Sequence, residues 1–301
     1  MQIENQVVQI PLFVEKQVTL AIKREDLLHP FISGNKYRKL KYNLFEAKKK
    51  GAHTILTFGG AFSNHIAATA YAAKEKGFNS IGIIRGEELK DSWRQNTTLH
   101  KAHEDGMIFK FVSREDYRRK EESEFLTYLR KEFGDFYLIP EGGTNEMAIM
   151  GCEEILVKGD EQFDFICTSV GTGGTASGLI NSSFPHQKVL GFSSLKGNFL
   201  KEDIVEITKN NRWELISEYH FGGYAKISPE LIHFINDFKK QTNIPLDPIY
   251  TGKMMFGLFD MVLRDTFAKG TKILAVHTGG LQGIAGMNSV LKKKKLPLLH
   301  I

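Results

Sequence analysis

The chain reads as an α/β protein of two lobes, each an open, mostly parallel sheet flanked by helices. Two observations predict this. Short apolar strand patterns alternate with helical patterns over residues 54–139 and again over 146–192. A βαβα rhythm with short connections means parallel strands covered by helices on both faces. No Pro-, Gly- or Ser-rich linker separates the two sets, so the lobes are expected to pack along a cleft, with the chain crossing between them more than once. Residues 1–45 and 150–301 are assigned to the larger lobe. Residues 46–149 are assigned to a smaller α/β lobe closing over the site.

Taken in order, residues 18–23 alternate and read as an early strand, and His29-Pro30 then breaks the chain. Ser33-Gly34-Asn35 reads as a turn, glycine being free to take positive φ. A helix follows over 37–50, with Tyr37, Leu40 and Leu44 at three- and four-residue steps, and Gly51 ends it. Next come strand 54–57, helix 63–76, strand 80–84, helix 96–104, strand 107–112, helix 122–133 and strand 136–139. The second set is helix 146–157, strand 164–170, helix 175–183 and strand 188–192. Ser228 as N-cap and Pro229 at the first helical position open a helix over 228–241. Helix 253–267, strand 273–276 and a last helix from residue 283 complete the chain. Residues 182–224 carry the least regular pattern, and no internal repeat or low-complexity segment is evident.

A length of 301 residues is ample for a large core, and 42% hydrophobic with 25% charged residues is ordinary for a soluble globular protein. The net charge is +5 and the pI about 8.9. Part of that excess is one run beside the C-terminus, Lys292-Lys293-Lys294-Lys295, which reads as solvated. The rest is near balance, so no nucleic-acid function is expected. The two cysteines, Cys152 and Cys167, form no metal-type pair and are too few for a disulfide framework. Cys167 lies in an apolar run and reads as a packing residue. Residues 1–16 lack a basic region followed by a sustained apolar stretch. No apolar run approaches the roughly 18 residues that span a bilayer. A cytoplasmic protein without membrane contact is expected.

The chemistry lies in loops. Ser169-Val170-Gly171-Thr172-Gly173-Gly174-Thr175 follows an apolar strand and opens a helix. Glycines let successive N–H groups turn towards one anion, and a helix start adds partial positive charge. Thr172 and Thr175 add hydroxyls. No Gly-Lys-Ser/Thr ends the loop, which argues against a nucleoside triphosphate. Thr57-Phe58-Gly59-Gly60-Ala61-Phe62-Ser63-Asn64-His65 repeats the architecture in the other lobe, where Ser63 and Asn64 form a site for a carboxylate and Ser63 also suits plain helix capping. Leu246-Asp247-Pro248-Ile249-Tyr250-Thr251-Gly252-Lys253 precedes a helix, and Ala275-Val276-His277-Thr278-Gly279-Gly280 follows a strand. Both place hydroxyls at a sheet edge or helix start, where open α/β sheets bind ligands.

Lys36 opens the first helix. Beside a phosphate cradle, it reads as the amine that holds pyridoxal phosphate as a Schiff base. That chemistry needs an amine uncharged for part of the time, at a fixed point, with water kept away. Burial lowers a lysine pKa towards neutrality. In isolation Lys36 is one of 40 Lys and Arg residues, and a lysine near a turn is ordinarily solvated.

With these loops in one chain, the sequence resembles the tryptophan-synthase-β-like (fold type II) pyridoxal phosphate enzymes. Within them it is similar to the 1-aminocyclopropane-1-carboxylate deaminase and D-cysteine desulfhydrase branch. The match runs from Ile22-Lys23-Arg24-Glu25-Asp26 to His277-Thr278-Gly279-Gly280. It includes Gly34-Asn35-Lys36 with Arg38-Lys39-Leu40, Ser63-Asn64-His65, Ile139-Pro140-Glu141-Gly142-Gly143-Thr144-Asn145 and the Tyr250 motif. The resemblance implies that Lys36 is the Schiff-base lysine and the base for the substrate Cα proton. It implies that Asn64 bonds the cofactor's 3′ oxygen, that Ser63 and its neighbours hold the substrate carboxylate, and that Gly171, Thr172, Gly173, Gly174 and Thr175 bind the phosphate. Tyr250 and Tyr224 would flank the substrate. A homodimer is also implied.

Ring-opening members of the branch are expected to carry Glu after the motif tyrosine and Leu before the final Gly-Gly. Thr251 and Thr278 stand there in this chain, as in the desulfhydrases. A carboxylate beside the pyridine nitrogen makes the ring a deep electron sink, whereas a hydroxyl leaves it shallower. A shallow sink suffices when thiolate leaves from Cβ. The implied activity is therefore conversion of D-cysteine to pyruvate, hydrogen sulfide and ammonia. Deamination of 1-aminocyclopropane-1-carboxylate to 2-oxobutanoate is the alternative. Ala225-Lys226-Ile227-Ser228 departs from the Gly and nearby Pro-Asn usual after Gly-Tyr, and 182–224 is shorter than usual. A cofactor- or phosphometabolite-binding protein without turnover is the alternative this motivates.

Overall fold

The computed structural model describes residues 3–32, 34–197 and 200–300. Ser33, read above as part of a turn, lies outside them, as do Met1 and Gln2 of the first sixteen residues. Ten strands are present among the described residues: β1 (Asn5–Val7), β2 (Thr19–Lys23), β3 (Thr54–Gly59), β4 (Asn79–Arg85), β5 (Met107–Val112), β6 (Tyr137–Ile139), β7 (Phe165–Val170), β8 (Lys188–Ser193), β9 (Trp213–Ile216) and β10 (Lys272–Val276). They form two sheets, a six-stranded one in the order β1-β2-β10-β7-β8-β9 and a four-stranded one in the order β5-β4-β3-β6. Every pairing is parallel except β1 with β2. The fold class is the α/β arrangement that the alternating pattern predicts. The larger sheet takes its strands from both ends of the chain and the smaller from the middle.

The helices are α1 (Pro11–Glu15), α2 (Asn35–Lys49), α3 (Asn64–Lys76), α4 (Thr97–Glu104), α5 (Arg114–Arg118), α6 (Ser123–Phe133), α7 (Glu146–Glu153), α8 (Gly174–Ser182), α9 (Leu200–Ile207), α10 (Pro229–Thr242), α11 (Thr251–Leu263) and α12 (Gly283–Lys293). Six of them, α7 to α12, cover the two faces of the large sheet, and the side-chain alternation of its strands shows how. Ile273 and Ala275 of β10 point into a core with α10, α11 and α12, while Leu274 and Val276 point into a second core with α7, α8 and α9. Cys167 is buried in the first of these cores, as its apolar run predicts. No helix among the described residues is long and apolar enough to cross a membrane.

Helix ends follow local chemistry. Ser63 caps α3 by accepting from the Ile66 N–H, Ser228 caps α10 by accepting from the Leu231 N–H, and Gly77 ends α3 in the left-handed region. Two expected helices are shorter. The one expected to reach residue 157 stops at Glu153, because the buried Asp160 carboxylate takes the Val157 N–H at 2.8 Å and turns the chain. The one expected to reach 267 stops at Leu263, where Asp265 adopts φ +58°. The elements β1, α1, α5, α9 and β9 were not anticipated. They are short, and α9 and β9 lie in the stretch of least regular pattern.

The boundaries expected after residues 45 and 149 both fall inside helices, α2 and α7. These two helices join the sheets. Leu40, Leu44 and Ala47 of α2 pack with Ile55, Ala68 and Ile139 of the four-stranded unit, while α7 packs against α8 of the large one. A Cβ on Gly151 of α7 would lie 2.0 Å from the Arg38 carbonyl oxygen of α2. Gly151→Ala should therefore force the helices apart and cost about 1–3 kcal/mol. The urea unfolding midpoint should fall, while Gly159→Ala, with nothing within 4 Å of the added carbon, should leave it in place.

Candidate active site

The loops at the C-terminal ends of β3, β4, β7 and β10 converge on one cleft of about 990 Å³. Lys36, Ser63, Asn64, Gly171, Thr172, Gly173, Thr175, Tyr224, Tyr250 and Thr278 all line it. The sequence places these residues far apart, and the parallel sheets bring them together because each loop leaves the same end of its strand.

Lys36 sits in the first turn of α2. The turn before it is pressed against the loop after β10. Gly34 has φ +52°, and a Cβ there would lie 2.1 Å from the Thr278 carbonyl oxygen, so glycine is required on two counts. The Asn35 N–H donates to that carbonyl at 3.2 Å. The Lys36 amine donates to the Gly142 carbonyl at 3.1 Å. Burial, and then the neighbouring Lys39, hold it well below the ordinary lysine value.

Lys39 is a site residue that the sequence reading passed over. Three residues after Lys36, it shares the same helix face. It is buried, and its amine donates to the Gly142 carbonyl at 3.1 Å and to the Thr144 hydroxyl at 3.0 Å. Thr172 Oγ1 is 3.5 Å away. Neither lysine pairs with a carboxylate among the described residues. Two adjacent amines without a counter-charge make a place for an anion.

The glycine loop completes that place. Gly173, at φ +80°, caps α8 without a side-chain acceptor, so no side chain covers the N–H groups at the helix start. A Cβ on Gly174 would lie 3.1 Å from the Lys39 amine, and one on Gly171 would lie 3.0 Å from the Tyr250 ring. The cradle exists because these positions carry no side chain. Thr172 Oγ1 is 2.6 Å from Thr144 Oγ1, and Thr175 Oγ1 accepts from Asn35 Nδ2 at 2.8 Å. Asn35 thus ties the lysine turn to the cradle. A phosphate suits the cradle, and an aldehyde suits an amine of lowered pKa, so these residues fit pyridoxal phosphate.

Around this centre, Asn64 Oδ1 accepts from Gln282. His65 is buried, its Nε2 is 2.8 Å from Thr57 Oγ1, and burial together with Lys36 and Lys39 keeps it well below the usual histidine range. It ties α3 to β3. Tyr250 caps α11, and the Asp247 carboxylate accepts from the N–H groups of Ile249, Tyr250 and Thr251 and from the Thr251 hydroxyl. The Tyr224 ring stands 6.2 Å from that of Tyr250. The Lys253 amine, which burial lowers to about 8, donates to the His220 and Gly223 carbonyls at 3.0 and 2.8 Å and holds the loop carrying Tyr224.

One expected contact is placed differently: Thr251 is off the cleft wall, fully buried with its hydroxyl bonded to Asp247. Thr278 does face the cleft, with its hydroxyl 3.1 Å from that of Ser169.

Residues 3–279 match the family described as pyridoxal-phosphate dependent enzyme. A Pyrococcus horikoshii protein provisionally named 1-aminocyclopropane-1-carboxylate deaminase is 33% identical over 287 residues, covering 87% of this chain and 84% of that one. The bifunctional D-cysteine desulfhydrase/1-aminocyclopropane-1-carboxylate deaminase of Arabidopsis thaliana, a mitochondrial protein, is 32% identical over 294 residues, covering 88% and 73%. A crystal structure of a homologue of 1-aminocyclopropane-1-carboxylate deaminase superposes with a TM-score of 0.85 at 29% identity, covering 97% of this chain and 94% of that one. The cradle, the lysine and these likenesses agree: the chain belongs to the pyridoxal-phosphate dependent enzymes, in the family of 1-aminocyclopropane-1-carboxylate deaminase and D-cysteine desulfhydrase.

Proposed function

We propose that the chain removes a β-substituent from a small amino acid, with D-cysteine as substrate and pyruvate, hydrogen sulfide and ammonia as products. One observation carries this reading. The Lys36 amine stands in the cleft beside a glycine cradle, without a carboxylate partner and with its charge disfavoured. Bound pyridoxal phosphate supplies an aldehyde to capture the substrate amine and a ring that accepts the electrons freed at Cα. Gly171, Thr172, Gly173, Gly174 and Thr175 would hold its phosphate with Lys39, and Asn64 would bond its ring oxygen.

Lys36 takes the Cα proton. A base of suitably lowered pKa contributes about 10²–10⁴-fold. Ser63 and the start of α3 hold the substrate carboxylate. Burial, then Tyr224, raise the Tyr250 hydroxyl well above its ordinary value, so it stays protonated and donates beside the leaving group. The four-stranded lobe closes over the substrate. The choice of reaction rests on the wall formed by Ser169 and Thr278. Their hydroxyls bring no negative charge, and Thr251 brings none from behind. Such a wall suits departure of a thiolate more than opening of a carbon ring. Ring opening of 1-aminocyclopropane-1-carboxylate is the second reading, favoured by the names of the relatives. Membership among enzymes sets aside a binding protein without turnover.

Two tests follow from the lysines. Lys36→Ala should remove both the visible absorbance of the lysine-bound cofactor and sulfide release from D-cysteine, and a fully active variant would overturn the assignment. Assay of 2-oxobutanoate from the cyclopropane substrate separates the second reading. Lys39 acts through charge. Its ammonium disfavours that of Lys36, so Lys39→Met should raise the Lys36 pKa. The pH profile for capture of pyridoxal, which lacks the phosphate, should then move to higher pH, and Lys39→Arg should restore it. A profile unmoved by Lys39→Met would show that the two amines do not couple.

A further inference from the structure

We infer that Lys253 is a positioning residue of the reaction: its amine clamps the loop that carries Tyr224 onto α11, so that Tyr224 stands against the substrate together with Tyr250. The inference rests on the reading above that sets both tyrosines beside the substrate, and deepens it by naming what fixes Tyr224 there.

Lys253, Gly257 and Asp260 follow one another along α11 at four- and three-residue steps and share one face. Residues 219–225 run along that face. The Tyr219 hydroxyl donates to Asp260 Oδ2 at 2.6 Å, and a Cβ on Gly257 would lie 2.6 Å from the Tyr219 ring. The Phe221 ring stands edge-on to that of Phe256 at 5.0 Å. These contacts hold the start of the loop. Its end is held by Lys253, which donates to the His220 and Gly223 carbonyls. Beyond Gly223, the residues Tyr224, Ala225 and Lys226 are exposed. The bond to Gly223, one residue before Tyr224, therefore fixes the backbone from which the ring reaches the cleft.

The charge on Lys253 matters to this grip. The side chain is 1% exposed, and no carboxylate forms an ion pair with it among the described residues. Burying a cation in this way is unfavourable, and a methionine of similar length would fill the same space. What the ammonium adds is two charge-assisted bonds to a turn of unusual backbone, with positive φ at Phe221, Gly222, Gly223 and Ala225. Burial lowers the amine to about 8 against the pull of the Asp247 carboxylate in the turn before α11. From the loop, the His220 ring faces inward and accepts the Gly222 N–H at 2.8 Å. Lys226 and Lys196 stand beside Gly222 and Gly223, and both are exposed. Burial raises the hydroxyls of Tyr224 and Tyr250 above their ordinary value, so both stay protonated while Lys253 titrates.

The test is titration of the cofactor-loaded enzyme with D- and L-alanine, followed in the visible spectrum of the cofactor. Both share the backbone of a small amino-acid substrate and carry no leaving group. Tyr224→Ala should weaken the tighter-binding enantiomer about tenfold, and Lys253→Met should do nearly the same. In the double variant the losses should not add, because both changes remove the placement of one ring. Additive losses would overturn the clamp, and so would a Lys253→Met enzyme that binds alanine like the unmodified one. A second arm needs no change at Lys253. The ammonium is intact below pH about 8 and loses its proton above it. The affinity gap between the unmodified enzyme and Tyr224→Ala should therefore be full below that pH and shrink above it, and a gap of constant size would overturn the inference. Tyr224→Ala with unchanged alanine binding would remove the tyrosine from the substrate, and the inference with it. Sulfide release from D-cysteine judges the elimination reading separately.

Discussion

The close approach of Gly34 to the Thr278 carbonyl is the contact on which the site depends. Strands β2 and β10 lie side by side and parallel, with Lys23 opposite Val276. The segments that leave their C-terminal ends therefore emerge at one sheet edge although most of the chain separates them. Only a residue without a Cβ and with positive φ lets the two backbones touch, and Gly34 is that residue. Its position fixes the first turn of α2, and with it both lysines. Asn35 extends the same constraint to Thr175 and the cradle. Three loops are thus positioned by one contact and one side-chain bond.

Charge is distributed to match. Two other buried cations are paired: Lys23 meets Asp160 at 2.9 Å and Arg38 meets Glu25 at 2.9 Å. An unpaired buried charge is strongly unfavourable, which is why such pairs form. Among the described residues Lys36 and Lys39 have only carbonyl and hydroxyl partners, and both amines are pushed towards neutrality by burial. The same helix carries the paired Arg38 and the unpaired lysines on either side of it. Position on the helix decides this, since Arg38 faces Glu25 and the lysines face the cradle. A cofactor phosphate would supply the missing counter-charge.

Much of this was legible in the sequence. Apolar runs bounded by glycine gave the parallel strands, and Ser63, Gly77, Ser228 and Pro229 marked helix ends by mechanisms that act within one turn. The cleft-lining loops could be read because strand ends of an open sheet face one way. What escaped depends on contacts and backbone angles that only the folded chain shows. Lys39 looks like any lysine until Gly142, Thr144 and Thr172 are brought around it. Thr251 looks like a wall residue until Asp247, four positions earlier, takes its hydroxyl. The helix ends at Glu153 and Leu263 were misplaced for the same reason, because a buried Asp160 and a left-handed Asp265 override the continuing helical pattern.

The segment around Tyr224 shows how far a departure from family pattern reaches. Phe221 and Ala225 hold φ of +54° and +55°, and Gly222 and Gly223 are also positive. Backbone of this kind in side-chain-bearing residues persists only where surrounding contacts impose it. Here the contact is Lys253, whose amine grips two carbonyls of the loop from the first turn of α11. Tyr250 begins that same helix and is fixed by Asp247. One helix start therefore sets both tyrosines, one by its cap and one by its lysine. The residues after Tyr224 can change without loosening the ring, because the loop is held through its backbone and not through the side chains that differ.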